Sequence, residues 1–373
     1  MRYTNINYSH KLFIYSTLLI VLSLQQFHYV SAKEIDKPWL QGFDTDRIYV
    51  LIESDSPEDI TLYFSPFGQE TSQIDSVKTL FHRTTNYGSR TYVHRFLLKG
   101  LISEWAYSYW FNKNEKYSFI LPKKNGEITF ANMGDNRSNP KIWNKVISNM
   151  ASEKPDFMIF NGDLAYKKEY NFWVDEFFTP TAQEVFTEYP FVNSIGNHEG
   201  WNDNSKAFLQ SLEMTKKPKE FFAFEQGEAL FLILNTEVGV GPNSPQWKFA
   251  KKQLNSTDKK WKIVVFHIPA YSSGAHGENK NMKRMTSKVF EKYGVDLILT
   301  GHSHYYQRNV ANNINHLVIG GGGSPLYSPN NAKYTITQAK KYHHALITVN
   351  NEKIQVEVRD LDMNTIDEFE IKK

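Results

Sequence analysis

The sequence has no cysteine. Disulfides, thiolate metal ligands, a cysteine nucleophile and a lipid anchor on cysteine are all excluded. Charge of one sign is scarce too: 43 Lys and Arg stand against 40 Asp and Glu, a net +3. That excess, with no run of like charges, gives no reason to expect a nucleic-acid scaffold or a membrane surface as partner. Internal repeats and low-complexity segments are also missing. What is present is an ordinary globular composition, 40% hydrophobic and 15% aromatic over 373 residues. That is enough for about two domains with buried cores.

Long apolar runs are limited to one, Leu12–Leu24, near the amino terminus. Arg2 and Lys11 precede or flank it, and Val30-Ser31-Ala32 offers a small-residue cleavage site. This is the pattern of a secretory signal over residues 1–32. The run is shorter than the ~20 residues a membrane span needs. The expected mature chain starts at Lys33, has no stable membrane span and is secreted or periplasmic.

From Pro38 to about Leu121 the chain reads as all-β. Arg47–Ile52, Thr61–Phe64, His94–Leu101 and Trp105–Phe111 are short, β-rich and bounded by Ser, Pro, Asp and Gly. The pattern predicts a β-sandwich over residues 33–123. Alternation places Trp105, Tyr107 and Tyr109 on one face, and no chemistry is evident there.

Lys123-Lys124-Asn125-Gly126 marks a boundary, and from residue 124 the pattern alternates between strand and helix, the α/β signature. Strands are expected at 128–133, 157–160, 191–195, 221–224, 229–235, 261–266 and 295–299. Helices are expected around 142–150, 172–186, 246–254 and 287–293. The tail from His316 is strand-rich, with Asn350-Asn351 as a hairpin turn.

Five of these strands stop at residues able to bind metal: Asp135, Asp163, Asn197, His267, and the pair His302 and His304. One such ending would be a turn or a core histidine. Five in succession, expected on one side of one sheet, point to a ligand site at the carboxyl ends of the strands. If His302-Ser303-His304 is extended, both imidazoles project to one face. Carboxylate, carboxamide, phenol and imidazole without thiolate suit Fe, Mn and Zn. Two such ions about 3.5–4 Å apart would clamp a phosphoryl group and activate water.

Asp135, Gly162-Asp163-Leu164-Ala165-Tyr166, Gly196-Asn197-His198-Glu199, Val265-Phe266-His267 and Gly301-His302-Ser303-His304 together resemble the five motifs of the purple acid phosphatases, a branch of the calcineurin-like metallophosphoesterases. Pro38-Trp39-Leu40-Gln41 is similar to the start of that family's fibronectin-III-like domain, and Gly320–Tyr327 to its closing segment. The resemblance thus covers nearly the whole mature chain. It implies a metallophosphoesterase sandwich of two mixed sheets flanked by helices over 124–373, preceded by a fibronectin-III-like sandwich.

The resemblance also implies a site. Asp135, Asp163, Tyr166 and His304 would hold Fe(III); Asp163, Asn197, His267 and His302 would hold a second divalent ion (Zn, Fe or Mn), with Asp163 bridging. Tyr166 stands in for the histidine that ordinary members carry two residues after the first aspartate. His198 and His276 resemble the residues that contact substrate and protonate the leaving group, and Glu199 either orients His198 or binds nearby backbone. The implied activity is hydrolysis of phosphate monoesters by attack of a metal-bound hydroxide. A phosphodiesterase or nucleotidase on the same scaffold is the alternative. A homodimer, if one forms, is held without disulfides. One position departs from the family pattern: Arg137 replaces its usual glycine. It is either a bidentate donor to substrate phosphate or a surface loop residue.

Overall fold

The computed structural model describes residues 35–58, 60–66, 72–75, 78–83, 90–111, 115–200, 202, 205, 220–274 and 276–373. The expected signal segment, 1–32, and Ala275 beside His276 lie outside them. The chain opens with eight strands: β1 (Trp39–Asp44), β2 (Arg47–Ser54), β3 (Thr61–Pro66), β4 (Ser72–Asp75), β5 (Lys78–Arg83), β6 (Arg90–Lys99), β7 (Ala106–Trp110) and β8 (Tyr117–Ile120). Beyond Lys123–Gly126 come β9 (Ile128–Met133), α1 (Pro140–Ser152), β10 (Phe157–Phe160), α2 (Tyr170–Phe172), α3 (Pro180–Phe186) and β11 (Phe191–Asn193). Then follow β12 (Phe222–Gln226), β13 (Ala229–Ile233), α4 (Pro245–Ser256), β14 (Trp261–Val265), α5 (Lys280–Met285) and β15 (Leu297–Thr300). The end is β16 (Tyr306–Ala311), β17 (Ile314–Ile319), β18 (Thr335–Ala339), β19 (His343–Val349), β20 (Lys353–Asp360) and β21 (Thr365–Lys372).

Two large mixed sheets face each other. One has ten strands in the order β21-β20-β19-β9-β10-β11-β1-β2-β6-β5; the other has seven, β12-β13-β14-β15-β17-β16-β18. Period-two alternation explains how they pack. On β10, Phe157 points inward and its ring meets Phe231 of β13 edge-on at 5.7 Å, while Phe160 points outward against Trp143 of α1 at 5.8 Å. Phe130 also meets Phe231, at 5.3 Å. Leu230 and Leu232, on the other face of β13, join Ala250 and Leu254 of α4 and Met282 and Met285 of α5 in a second apolar layer.

Three helices start the same way. Asn139, Thr179 and Ser244 each cap a helix whose first residue is proline, accepting from Ile142 N, Ala182 N and Trp247 N at 3.3, 3.3 and 3.1 Å. Proline at that position has no N–H to leave unpaired, and its φ is already helical. The same chemistry breaks the helix expected over 172–186. After a π-helical turn at Trp173–Phe177, Thr179 is extended (φ −59°, ψ 156°) and Pro180 starts α3 afresh, since the residue before a proline avoids the helical region. The helix expected at 287–293 starts earlier, at Lys280, on an Asn279 cap, and passes into a π-helical turn at Thr286–Phe290.

The first part of the chain is all-β, as expected, but it shares a sheet with the rest. Strands β4-β3-β7-β8 form a four-stranded sheet of their own, whereas β1, β2, β6 and β5 continue the ten-stranded sheet. The join is β1 against β11, parallel, with Gln41 opposite Phe191. Tyr107 and Tyr109 are buried as alternation predicted; Trp105 is not, being 42% exposed and just outside β7. The Asn350 turn joins β19 to β20, with Asn350 N donating to Lys353 O at 3.1 Å. A second such turn, Asn312-Asn313, joins β16 to β17 with φ +53° and +58°.

Candidate metal centre

The five expected strand ends come from two sheets rather than one. β9, β10 and β11 are neighbouring parallel strands of the ten-stranded sheet and lead to Asp135, Asp163 and Asn197. β14 and β15 are neighbouring parallel strands of the seven-stranded sheet and lead to His267 and to His302 and His304. All five ends bring their side chains to one place.

The turns that do this are strained. Asp135, Asp163 and His302 have φ of +61°, +55° and +67°, which costs on the order of 1–3 kcal/mol each for residues other than glycine. His302 is therefore not extended, so period-two alternation does not set where its imidazole and that of His304 project. The His302 N–H donates to Asp135 Oδ2 at 2.7 Å, and Ser303 N closes a tight turn on Gly301 O at 2.8 Å. The loops after β10 and β11 touch backbone to backbone: a Cβ on Gly196 would lie 2.2 Å from Asp163 N, and one on Gly162 would lie 2.7 Å from Gly196 N. Buried Glu199 ties the same loops, its Oε1 accepting from Asp163 N and Gly196 N at 3.0 Å each. It binds backbone; no bond to the His198 ring accompanies these.

Two donor sets share Asp163. In the first, Asp135, Asp163 and His304 each offer an atom within 4.8 Å of the others, all buried. His304 Nδ1 donates to Pro325 O at 2.8 Å, which leaves Nε2 as its free lone pair, 3.5 Å from Asp135 Oδ1. That Asp135 oxygen is buried with no hydrogen-bond partner, the mark of a place for a cation. In the second, His267 Nε2 lies 3.2 Å from Asp163 Oδ1 and 3.1 Å from Asn197 Oδ1, and His302 Nδ1 lies 2.8 Å from Asn197 Oδ1. His267 Nδ1 donates to Asn161 O at 2.7 Å, fixing the tautomer that presents Nε2. Donor atoms around a four-coordinate zinc are about 3.3 Å apart, given arms of ~2.0–2.2 Å. The residues present therefore fit metal ions.

Electrostatics point the same way. Burial favours the neutral imidazole at His267, but the Asp163 charge and hydrogen bond, with Asp135 and Glu199 beyond, raise its pKa to about 10. Burial opposes ionisation of Asp163 as well, yet His267, Arg137 and His198 hold its carboxyl well below the usual range. Burial and the neighbouring His267 push His302 down to about 3, and burial with Asp163 pushes Glu199 up to about 8.

Other expected residues line the opening. The Tyr166 ring is 42% exposed and stacks on His198 at 5.1 Å. His198 Nδ1 donates to Tyr166 O at 2.8 Å, and its backbone N donates to Asp163 Oδ1 at 3.0 Å. His276 is exposed, with its ring 5.1 Å from His302 and 6.3 Å from His304. Arg137 is no surface residue: it is 7% exposed, and its Nε donates to Asp163 Oδ2 at 3.1 Å. Tyr327 carried no role in the sequence reading, yet it stacks on His304 at 4.4 Å and lies 4.9 Å from His276. Its position in the Gly320–Tyr327 segment was the one available signal. Asn132 and Asn161 were also missed: a buried amide pair (2.8 and 3.0 Å) that braces β9 against β10 below the donors.

The sequence profile of the calcineurin-like phosphoesterase family matches residues 128–306, the stretch that holds every donor described above. The Fe(3+)-Zn(2+) purple acid phosphatase 12 of Arabidopsis thaliana is 26% identical over 325 residues, 72% of this chain and 68% of that one. A purple acid phosphatase of Glycine max is 25% identical over 350 residues, 80% and 75% of the two chains. Among solved structures, a purple acid phosphatase from yellow lupin (Lupinus luteus) seeds superposes with a TM-score of 0.75 at 21% identity, covering 90% of this chain and 74% of the other. Residues 128–306 are thus a calcineurin-like phosphoesterase domain, in a chain homologous to the purple acid phosphatases and sharing their fold.

Proposed function

We propose that this chain is an exported metal-dependent phosphatase acting on phosphate monoesters. The observation that carries the reading is the sharing of Asp163 between two donor sets at the carboxyl ends of parallel strands, the first buried and the second open to solvent at Asn197 and His302. Asp135, Asp163, Tyr166 and His304 would hold the first ion, taken as Fe(III). Asp163, Asn197, His267 and His302 would hold a second, divalent one (zinc, iron or manganese). The Fe(3+)-Zn(2+) relative supports that pairing. Bound there, the ions supply positive charge for the phosphoryl oxygens and activate water.

The chain's own residues do the rest. His267 and His304 are held in the metal-accepting tautomer by Asn161 O and Pro325 O. Asp163 Oδ1 fixes the His198 backbone, and the Tyr166 carbonyl fixes its Nδ1, so that Nε2 is the atom free to face a departing alkoxide. With Nδ1–H committed to a carbonyl, Nε2 has a proton to give only in the imidazolium form. His276, with its ring 5.1 Å from that of His302, would contact substrate beside the second donor set. Export over residues 1–32 is a reading of the sequence alone; no helix among the described residues is long and apolar enough to cross a membrane.

Residues 33–373, loaded with metal, are expected to hydrolyse an aryl phosphate monoester faster than the matching diester. Turnover of diesters alone would replace this reading with a phosphodiesterase. His198→Ala should lower kcat by ~10²-fold or more on alkyl phosphates, whose leaving group needs a proton, and much less on a nitrophenyl ester. Equal losses on both would remove His198 from that role.

Metal uptake should depend on pH with a definite sign. His267 carries a proton below about 10 in the metal-free chain, and a ligand imidazole must be neutral. Raising the pH removes the competing proton. Zinc affinity at the second position should rise roughly tenfold per pH unit between pH 6.5 and 9, with about one proton released per ion. Calorimetry in buffers of different ionisation enthalpy reads both numbers, and a pH-independent affinity would exclude His267 as a ligand.

A further inference from the structure

The guanidinium of Arg137 lies among the first set of donors. Its Nε donates to Asp163 Oδ2 at 3.1 Å, its Nη2 is 3.4 Å from His304 Nε2, and its Cζ is 5.4 Å from the centre of the Tyr166 ring. It therefore touches three of the four residues proposed to hold the first ion. The side chain is 9% exposed and Asp163 only 1%, so this is a buried, charge-assisted contact. Arginine does not lose its proton in proteins.

One lone pair decides the matter. His304 Nδ1–H is committed to Pro325 O, so Nε2 has a single lone pair, and it faces Arg137 Nη2. It can serve the guanidinium or a metal ion, not both. Asp163 Oδ2 also accepts from Arg137 Nε, which leaves this oxygen a further lone pair. Asp135 Oδ1, buried beside them, has no hydrogen-bond partner. The second set involves none of these contacts: Asp163 Oδ1, Asn197, His267 and His302 are clear of Arg137.

We propose that Arg137 is a built-in cation holding the first metal position, so that the chain retains one ion tightly at the second position and takes up another at the first only by displacing the arginine. This rests on the phosphatase reading for the identity of the two positions, and it deepens that reading by making metal loading unequal. It also gives Arg137 a place in this fold that neither a phosphate donor nor a surface residue would have.

The test is metal binding and melting temperature, not turnover. Metal-free residues 33–373 are titrated with Zn²⁺ by calorimetry, and bound metal is counted by mass spectrometry after dialysis, for wild type, Arg137→Gly and Arg137→Gln. The glutamine variant keeps bulk and hydrogen-bond donors but loses the charge, which covers the case in which glycine prevents folding. Wild type should keep one ion per chain; both variants should keep two, with the second bound at least ~100-fold more tightly than in wild type.

Melting temperatures separate this from a merely structural arginine. Removing the charge should lower the melting temperature of the metal-free protein, because Asp163 loses its counter-ion, yet raise the gain on adding zinc above the wild-type gain. A structural arginine would lower both forms alike. Wild type binding two ions as tightly as Arg137→Gln overturns the proposal and leaves the phosphatase reading intact. Failure of wild type and variants alike to bind any ion overturns both.

Discussion

Asp163→Asn should abolish phosphatase turnover and metal retention together. Its two oxygens do four things. Oδ1 accepts from His198 N at 3.0 Å and faces His267 Nε2 at 3.2 Å; Oδ2 accepts from Arg137 Nε at 3.1 Å and lies 3.8 Å from His198 Nε2. A carboxamide cannot replace them in either orientation. Its NH₂ must point at the His198 N–H or at the Arg137 Nε–H, donor against donor. The bridging charge is also lost, and with it several kcal/mol of charge stabilisation. A fall in kcat/KM of roughly 10³-fold or more is expected. Stability should drop as well, because the mutation leaves a buried guanidinium unpaired, at a cost of about 3–5 kcal/mol. For a chain of this size that is roughly 4–7 °C in Tm. Kinetics, metal analysis and a melting curve on the same preparation check all three, and near-wild-type turnover with full metal content would refute the site.

Gly196→Ala is expected to reach the same site through the backbone. The added Cβ would lie 2.2 Å from Asp163 N and 2.3 Å from Asp163 Oδ1. Neither atom belongs to a flexible side-chain end that can move aside. Asp163 N is held by Glu199 Oε1, which also accepts from Gly196 N, so the two loops must part together. Overpacking of this kind costs about 1–3 kcal/mol. The larger effect should be on metal affinity, because the displaced carboxylate serves both proposed positions. Gly239→Ala is the control: a Cβ there has nothing within 4 Å, and stability and metal binding should be unchanged. Equal behaviour of the two variants would mean that the loops after β10 and β11 are not in register as described.

Sequence patterns read well where one residue type has one local consequence. The apolar run at 157–160 is a buried strand, and helices cover the stretches expected at 142–150 and 246–254. Reading was poorer where the outcome depends on a distant partner. The five strand ends were recognised as one constellation, but their division between two sheets was not visible, because strand order is set by pairings such as β11 with β1 that no local pattern records. His302-Ser303-His304 does not take the extended geometry under which both rings would share a face, because the His302 N–H, in a left-handed turn, donates to Asp135 beyond the end of a strand of the other sheet. Trp105 was placed one residue inside a strand that begins at Ala106, an error at an element end, where alternation has no further residue to anchor it.

Residue types and short spacings set the chemistry on offer: no thiolate, balanced charge, and Asp, Asn, Tyr and His at strand ends in an order that points to one family. These are properties of single residues and short spacings, which survive without knowledge of the fold. Which of them meet follows from how the two sheets pack. Packing joined β1, β2, β6 and β5 to the ten-stranded sheet, brought Tyr327 onto His304, and turned Arg137 inward onto Asp163 and His304. The reason is physical: a buried cation goes where carboxylate and imidazole lone pairs converge, and that convergence exists only once both sheets have packed.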